Sequence, residues 1–290
     1  MVVHVRACSL NHHDLWSLRG VGVDASRLPM VLGSDVAGVC DDGREVVVHS
    51  LVAESGRGGG NELFDPQRAM LAESGRGGLT ERIAVPERNL VRKPSALSFE
   101  DAACLPTAWL TAYRMLFVRA AARPGQTVLV QGASGGVATA AITLGRAAGL
   151  RMWVTGRSAE KLERARALGA DAGYPTGERI PERVDIVLDT VGSATWKHSI
   201  NSVRTGGVVV VAGGTSGSFA QTDLSRVFLH HISILGSAVG RVEELEALVA
   251  FCRDRGIRPH IDSVHSFDDA RAAFTRLESG SAFGKVVVTL

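Results

Sequence analysis

Two adjacent histidines, His12 and His13, sit in the heptapeptide Leu10–Trp16 (LNHHDLW), with Cys8 just before them and Asp14 inside it. Imidazole, thiolate and carboxylate are the ligands zinc takes. The stretch therefore reads as half of a metal site, or as something built where such a site could stand. Geometry weighs against the two histidines acting together. Neighbouring residues point to different faces of a strand or helix, and tetrahedral zinc needs several protein ligands converging on one point. The cysteines, Cys8, Cys40, Cys104 and Cys252, are far apart and form no CxxC. Neither a zinc ribbon nor a disulfide framework is indicated, and reduced thiols in a cytoplasmic protein are expected.

A second stretch has the spacing for phosphate chemistry. VLVQGASGGVATAA runs from a buried strand through a glycine-rich turn into an alanine-rich helix. Gly132, Gly135 and Gly136, with Ala133, Ser134 and Val137 between and after them, would keep the turn tight and let backbone approach a pyrophosphate. The helix N-terminus behind them offers unpaired N–H groups and a positive dipole end. Ala138 takes the third small position, where helix and strand pack closely. The next strand ends in Thr155, Gly156, Arg157 and Ser158. An NAD site usually carries an acid there, for the ribose 2′-hydroxyl. Arg157 instead suits a 2′-phosphate, with Lys161 adding charge one turn later, so NADP(H) is expected. A solvated Arg157 and a Ser158 that only caps a helix form the competing reading.

These stretches need elements to hold them. The first third reads as short strands: MVVHVRA, VLGSDVAGVC and REVVVHSL are apolar runs broken by Gly, Asp and Pro. Residues 53–80 form a polar, glycine-rich excursion in which AESGRGG occurs twice, from Ala53 and from Ala72. It reads as a surface loop, or less simply as a substrate lid. Phe99–Ala120 has apolar residues at helical spacing. Strands and helices then alternate, the pattern of a parallel sheet with crossover helices. A helix ending at Gly256 and a short β-α-β tail closing in GKVVVTL complete the chain. Its 290 residues and formal charge of +2, without blocks of like charge, give no sign of a nucleic-acid partner. No stretch reads as a signal peptide or a membrane span.

On VRACSLNHHDLW, PMVLGSDVAGV, LPTAWLTAYRML, GASGGVATAA, DTVG and GKVVV, the chain resembles the medium-chain dehydrogenase/reductase superfamily over nearly its whole length. The resemblance implies an α/β fold of two domains. A GroES-like β-rich substrate domain would span 1–105 and 240–290, and a doubly wound Rossmann domain 106–239, with substrate between them. Family members carry additional β structure ahead of the strand on which this chain enters. Either the true start lies elsewhere, the chain is truncated, or the β domain is reduced; a missing strand would leave an unpaired edge and open the cleft. In zinc alcohol dehydrogenases of this family, three stretches each supply a catalytic-metal ligand. Asn11, Ser34 and Thr107 stand in those places here, and the excursion where the structural zinc would lie has no cysteine. A site without metal is expected, similar to the quinone oxidoreductase branch.

The resemblance further implies roles. His13 falls where alcohol dehydrogenases keep a proton-relay hydroxyl, so it is a candidate proton donor; a structural hydrogen bond is the alternative. His12 is expected to face solvent, Trp16 to join the core, and Asp14 to brace the loop or cap a helix beginning at Leu15. Thr111 would position the nicotinamide. Val191 and Gly192, and Ala212 and Gly213, would line the cofactor. Asn11, His13 and Thr107 are the catalytic candidates. Without a Lewis acid, acceptors that delocalise charge on reduction fit best, namely quinones and α,β-unsaturated carbonyls. The alternatives are a zinc-type alcohol dehydrogenase with other ligands, and an NADPH-binding sensor or structural protein without turnover. The strand HHISILGS, at the expected sheet end, suggests a homodimer joined near Ile232–Leu235.

Overall fold

A computed structural model describes residues 1–23, 26 and 28–290. They form two compact units, Met1–Leu110 with Val239–Leu290, and Thr111–Ala238. The expected boundary at 105/106 lies a few residues earlier. The segment Leu105–Leu110, which includes Thr107, sits with the first unit.

The chain begins with β1 (Val2–Ser9), α1 (His12–Leu18), β2 (Asp35–Cys40), β3 (Glu45–Val48), β4 (Leu51–Val52), β5 (Ala69–Met70), β6 (Arg82–Ala84), β7 (Leu90–Arg92) and α2 (Phe99–Ala103). The stretch that follows stays helical but alternates in width. Wide π turns at Leu105–Trp109 and Arg114–Arg119 flank a short α3 (Leu110–Tyr113). Apolar spacing foresees a helix there; it does not foresee the extra residue per turn. The second unit continues with β8 (Thr127–Gln131), α4 (Gly136–Ala147), β9 (Arg151–Gly156), α5 (Ala159–Leu168), β10 (Ala172–Pro175), β11 (Val184–Asp189), α6 (Trp196–Ser202), β12 (Val203–Val211), α7 (Leu224–Leu229) and β13 (Ser233–Gly236). The short β10 has no alternating pattern in the sequence and is recognisable only from its pairing with β9. The chain returns to the first unit with α8 (Val242–Arg255), β14 (Ile261–Ser266), α9 (Ala270–Glu278) and β15 (Lys285–Thr289).

The main sheet of the first unit runs β14-β15-β1-β2-β3-β7, with β6 also on β1. All pairs except β14 with β15 are antiparallel. Thus β1 is interior, bonded to β2, β6 and β15 rather than left as an edge. Its first half alternates, Val3 and Val5 going into a cluster with Val36, Val48 and Leu71. At Ala7, Cys8 and Ser9 every residue is buried, because α2 also packs against this strand. That second cover creates the dry environment in which the polar residues below sit.

The second unit is a parallel sheet ordered β10-β9-β8-β11-β12-β13. From β8 the chain winds outward first to β9 and β10, then back across to β11, β12 and β13. The switch point lies between β8 and β11, where open α/β sheets hold ligands beyond their strand ends. Leu129, Trp153, Val187, Ile200 and Val209 form its core. No helix among the described residues is long and apolar enough to cross a membrane.

Candidate functional site

In the second unit the carboxyl ends of β8, β9, β11 and β12 bring most of the expected cofactor residues to one sheet edge. After β8 the chain turns at Gly132, whose φ of +96° is a left-handed conformation that favours glycine. Its N–H donates to Thr155 Oγ1 at 3.2 Å, and that hydroxyl donates to Gln131 Oε1 at 2.8 Å. Thr155 is wholly buried, so its side chain holds the turn's shape from behind. Gly135 then precedes α4, with no side chain capping the helix. A Cβ on Gly135 would meet nothing within 4 Å. An uncapped helix start beside an open glycine fits a pyrophosphate.

At the end of β9, Ser158 caps α5, accepting from Lys161 N–H at 3.3 Å. Arg157 beside it is exposed and has no hydrogen bond or ion pair among the described residues. After β11, buried Asp189 accepts from the N–H groups of Val191 at 2.9 Å and Gly192 at 3.0 Å, and from the hydroxyls of Thr195 and Ser199. Those two N–H groups therefore shape the loop. Gly213 passes close to Thr190, where a Cβ would lie 3.0 Å from the carbonyl oxygen. Thr111 is nearly buried in α3. The residues present fit a dinucleotide, and the free guanidinium fits a 2′-phosphate.

In the first unit, Asn11 precedes α1, which starts at His12 rather than at Leu15. Asp14 does both jobs open to it: its carboxylate accepts from Asn11 N–H at 2.8 Å and from Gly33 N–H at 2.9 Å. Gly33 has φ +93°, and a Cβ there would stand 2.6 Å from Cys8 Sγ. Burial raises the Asp14 pKa, and the two backbone donors oppose that rise. The Cys8 thiol is pushed well up by burial first and by Asp14 and Asp35 next, so it is held protonated and is a poor ligand or nucleophile.

The Asn11 side chain is clamped by two charges. Lys285 Nζ donates to Asn11 Oδ1 at 2.7 Å and to Leu10 O at 2.8 Å, and lies 3.3 Å from Asp35 Oδ2. Asn11 Nδ2 donates to the same Asp35 oxygen at 2.8 Å. These charges set which end of the amide points where. Among the described residues only a long 3.5 Å contact to Ser9 O engages Nδ2 further. Ser9 Oγ donates to Asp35 Oδ2 and lies 2.9 Å from Ala103 O, linking β1 to α2. Lys285 is 2% exposed and Asp35 fully buried. Both fall inside the motifs GKVVV and PMVLGSDVAGV, which by themselves assign them no role. The available signal is a lysine opening an otherwise apolar strand, since a buried lysine requires a partner.

His12 is exposed and Trp16 half-buried. His13 Nε2 lies 2.9 Å from Glu73 Oε1, an excursion residue to which the sequence pattern gives no role. The Glu73 contact is the leading cause of a raised His13 pKa; burial opposes it, and Asp14 and Asp35 add to it. The hydroxyls of Ser34 and Thr107, like His13 Nδ1, are covered and make no hydrogen bond among the described residues. Among the described residues no three of His, Cys, Asp and Glu cluster as metal ligands would. A clamped amide and two neutral hydroxyls do not fit zinc, which binds thiolate, imidazole or carboxylate.

Comparison with known proteins agrees with this architecture. Residues 1–95 match the model of the alcohol dehydrogenase GroES-like domain, and 164–288 that of zinc-binding dehydrogenases. The chain is 34% identical over 298 residues to a 2-methylene-furan-3-one reductase of Solanum lycopersicum, covering 99% of this chain and 71% of that protein. A crystal structure of an NAD-dependent alcohol dehydrogenase superposes with TM-score 0.92 at 33% identity, covering 100% of this chain and 91% of the other. A 2-octenoyl-CoA carboxylase reductase, solved with NADP and 2-octenoyl-CoA, superposes with TM-score 0.90 at 27% identity, covering 99% and 78%.

Proposed function

The chain belongs to the medium-chain dehydrogenase/reductase superfamily, and from that premise we propose that it is an NADPH-dependent reductase of α,β-unsaturated carbonyls or quinones that works without catalytic zinc. The observation carrying this reading is the donor set at the three ligand places: Asn11 tied between Lys285 and Asp35, and the hydroxyls of Ser34 and Thr107. Such groups offer hydrogen bonds in place of a Lewis acid. The named substrates of two relatives, a methylene-furanone and an enoyl-CoA, contain a conjugated alkene, which supports the same substrate class.

NADPH, when bound, supplies the hydride. In this reading Gly132–Val137 and the start of α4 hold its pyrophosphate, Gly156–Ser158 with Arg157 its ribose phosphate, and Val191, Gly192, Ala212 and Gly213 its remaining path. Thr111 orients the ring. Asn11 steadies charge on the substrate oxygen through the Nδ2 hydrogen that has only the long Ser9 contact, Thr107 Oγ1 lends a second donor, and His13 delivers the proton. Purified protein should oxidise NADPH with enones or quinones. It should contain well under one zinc per chain and keep its rate and stability after chelation. Stoichiometric zinc with turnover of simple alcohols would overturn both metal and substrate assignments. Tight NADPH binding with no turnover of any acceptor would mark a non-catalytic binder.

The same reading includes a homodimer and a cytoplasmic location, the latter in keeping with four free, buried cysteines. Strand β13 ends the second unit's sheet. Exposed Leu224, Phe228, Leu229 and Ile234 lie on it and on α7 just before it, an apolar edge of the kind proteins pair or cover. Sedimentation at micromolar concentration should show a dimer. Ile234→Pro strikes a two-fold interface twice and should give monomer or aggregate. A monomer in the unmodified protein, or a dimer untouched by the proline, would remove β13 from the interface.

A further inference from the structure

The glycine-rich excursion contributes a carboxylate to His13, and three features of that pairing bear on proton transfer. Glu73 Oε1 lies 2.9 Å from His13 Nε2, while Oε2 accepts from Met70 N–H at 2.8 Å, so the carboxylate is braced from the far side. Both side chains are only partly exposed, 22% for His13 and 30% for Glu73, so solvent screens the pair incompletely. The other ring nitrogen, Nδ1, is covered and makes no hydrogen bond among the described residues. An orphaned polar atom of this kind is costly, and a catalytic role is one of the explanations for it.

We propose that Glu73 is a positioning residue for His13: by accepting Nε2–H it fixes the ring's rotation and tautomer and leaves Nδ1 as the atom that gives its proton to the reduced product. The proposal rests on the reductase reading above. In that reaction a hydride from NADPH, with its electron pair, bonds to the β-carbon of the enone. The alkene pair shifts towards the carbonyl, and NADPH leaves as NADP+. The Nδ1 proton of cationic His13 then bonds to the resulting enolate. His13 is left neutral with its remaining proton on Nε2, the tautomer that Glu73 stabilises. Glu73 thus favours the cation before transfer and the correct neutral form after it. The ionisable groups that most favour the cation are Glu73, Asp14 and Asp35; Lys285, paired with Asp35 at 3.3 Å, offsets the last of these.

The test uses the full chain with 15N-labelled histidine and needs no substrate for its first readout. In the unmodified protein the neutral His13 ring should show Nε2–H and bare Nδ1, and its titration midpoint should lie above that of an ordinary histidine. Glu73→Ala should lower the midpoint and mix the tautomers. Glu73→Gln, whose amide oxygen still accepts, should lower the midpoint yet keep the tautomer. The alkaline limb of kcat for an enone should move to lower pH in both variants, with KM little changed. An unaltered His13 titration and tautomer in Glu73→Ala would overturn the proposal outright. The expected spectral changes with an unmoved rate profile would overturn the proton-transfer role while leaving the pairing established. Absence of enone turnover in the unmodified protein would strike the reductase reading, and the spectra would still decide whether Glu73 sets the ring.

Discussion

Replacing Lys285 by methionine should destabilise the protein by about 3–5 kcal/mol, the range for removing one partner of a buried ion pair. Methionine has nearly the same length, so packing changes little; the charge and its bonds are what is lost. The ammonium meets Asn11 Oδ1, Leu10 O and Asp35 Oδ2 within 3.3 Å. Without it, Asp35 keeps, among the described residues, only Ser9 Oγ and Asn11 Nδ2 on one oxygen and no partner on the other. A carboxylate fully removed from water is costly in that state. Asp35→Asn combined with Lys285→Met removes both charges and should recover much of the loss, because the penalty belongs to the unpaired charge. Urea denaturation midpoints of the two single variants and the double variant would measure the coupling. A single-variant loss below about 1 kcal/mol would mean that water or rearrangement compensates the carboxylate. Without Lys285 the Asn11 amide would be held by Asp35 alone, so an enone rate falling further than stability explains would support its place at the substrate.

Arg157→Ala should weaken NADPH binding by roughly 10- to 100-fold while changing NADH affinity by no more than a few-fold, the scale of one lost charge-assisted phosphate contact. The guanidinium follows Gly156, beyond β9, on the side of β8 away from the switch point. No partner among the described residues competes for it. Ser158 already accepts from Lys161 N–H, so the helix start stays capped when the arginine is removed. Fluorescence titration with each nucleotide gives both affinities directly. Equal affinity for NADPH and NADH in the unmodified protein would refute the assignment to NADP(H). The related NAD-dependent alcohol dehydrogenase structure makes that outcome a concrete competitor. Arg157→Asp should go further than alanine, towards NADH, by repelling the phosphate and offering a ribose acceptor.

Legibility of the fold and site in the amino-acid sequence follows how local the determining physics is. The Rossmann unit is legible because each of its parts is a local pattern. A buried strand, a glycine turn and an alanine-rich helix sit within one stretch, Thr127–Ala147, and the alternation of strands and helices restricts how they stack. Arg157 is legible for the same reason, being one residue past a strand end. The strand β10 escapes notice because AGYP has no period and exists only through its partner β9. The expected helix start at Leu15 falls three residues late, because Asn11, only two residues past the end of β1, already caps the helix.

The first unit's polar centre is not legible, because contact across hundreds of residues makes it. Lys285 reaches Asn11 only because β15 lies beside β1 in the sheet. The two copies of AESGRGG show the point most directly. In the first, Glu54 pairs with Arg57 three residues on, at 2.8 Å. In the second, Glu73 turns to His13, sixty residues away. The seven letters are identical, so no propensity or motif distinguishes them. Short-range sequence thus encodes the separate elements and the dinucleotide turn. The matching of each carboxylate to its base belongs to the packed chain, since charge partners are chosen by distance in space and by the energy of burying them.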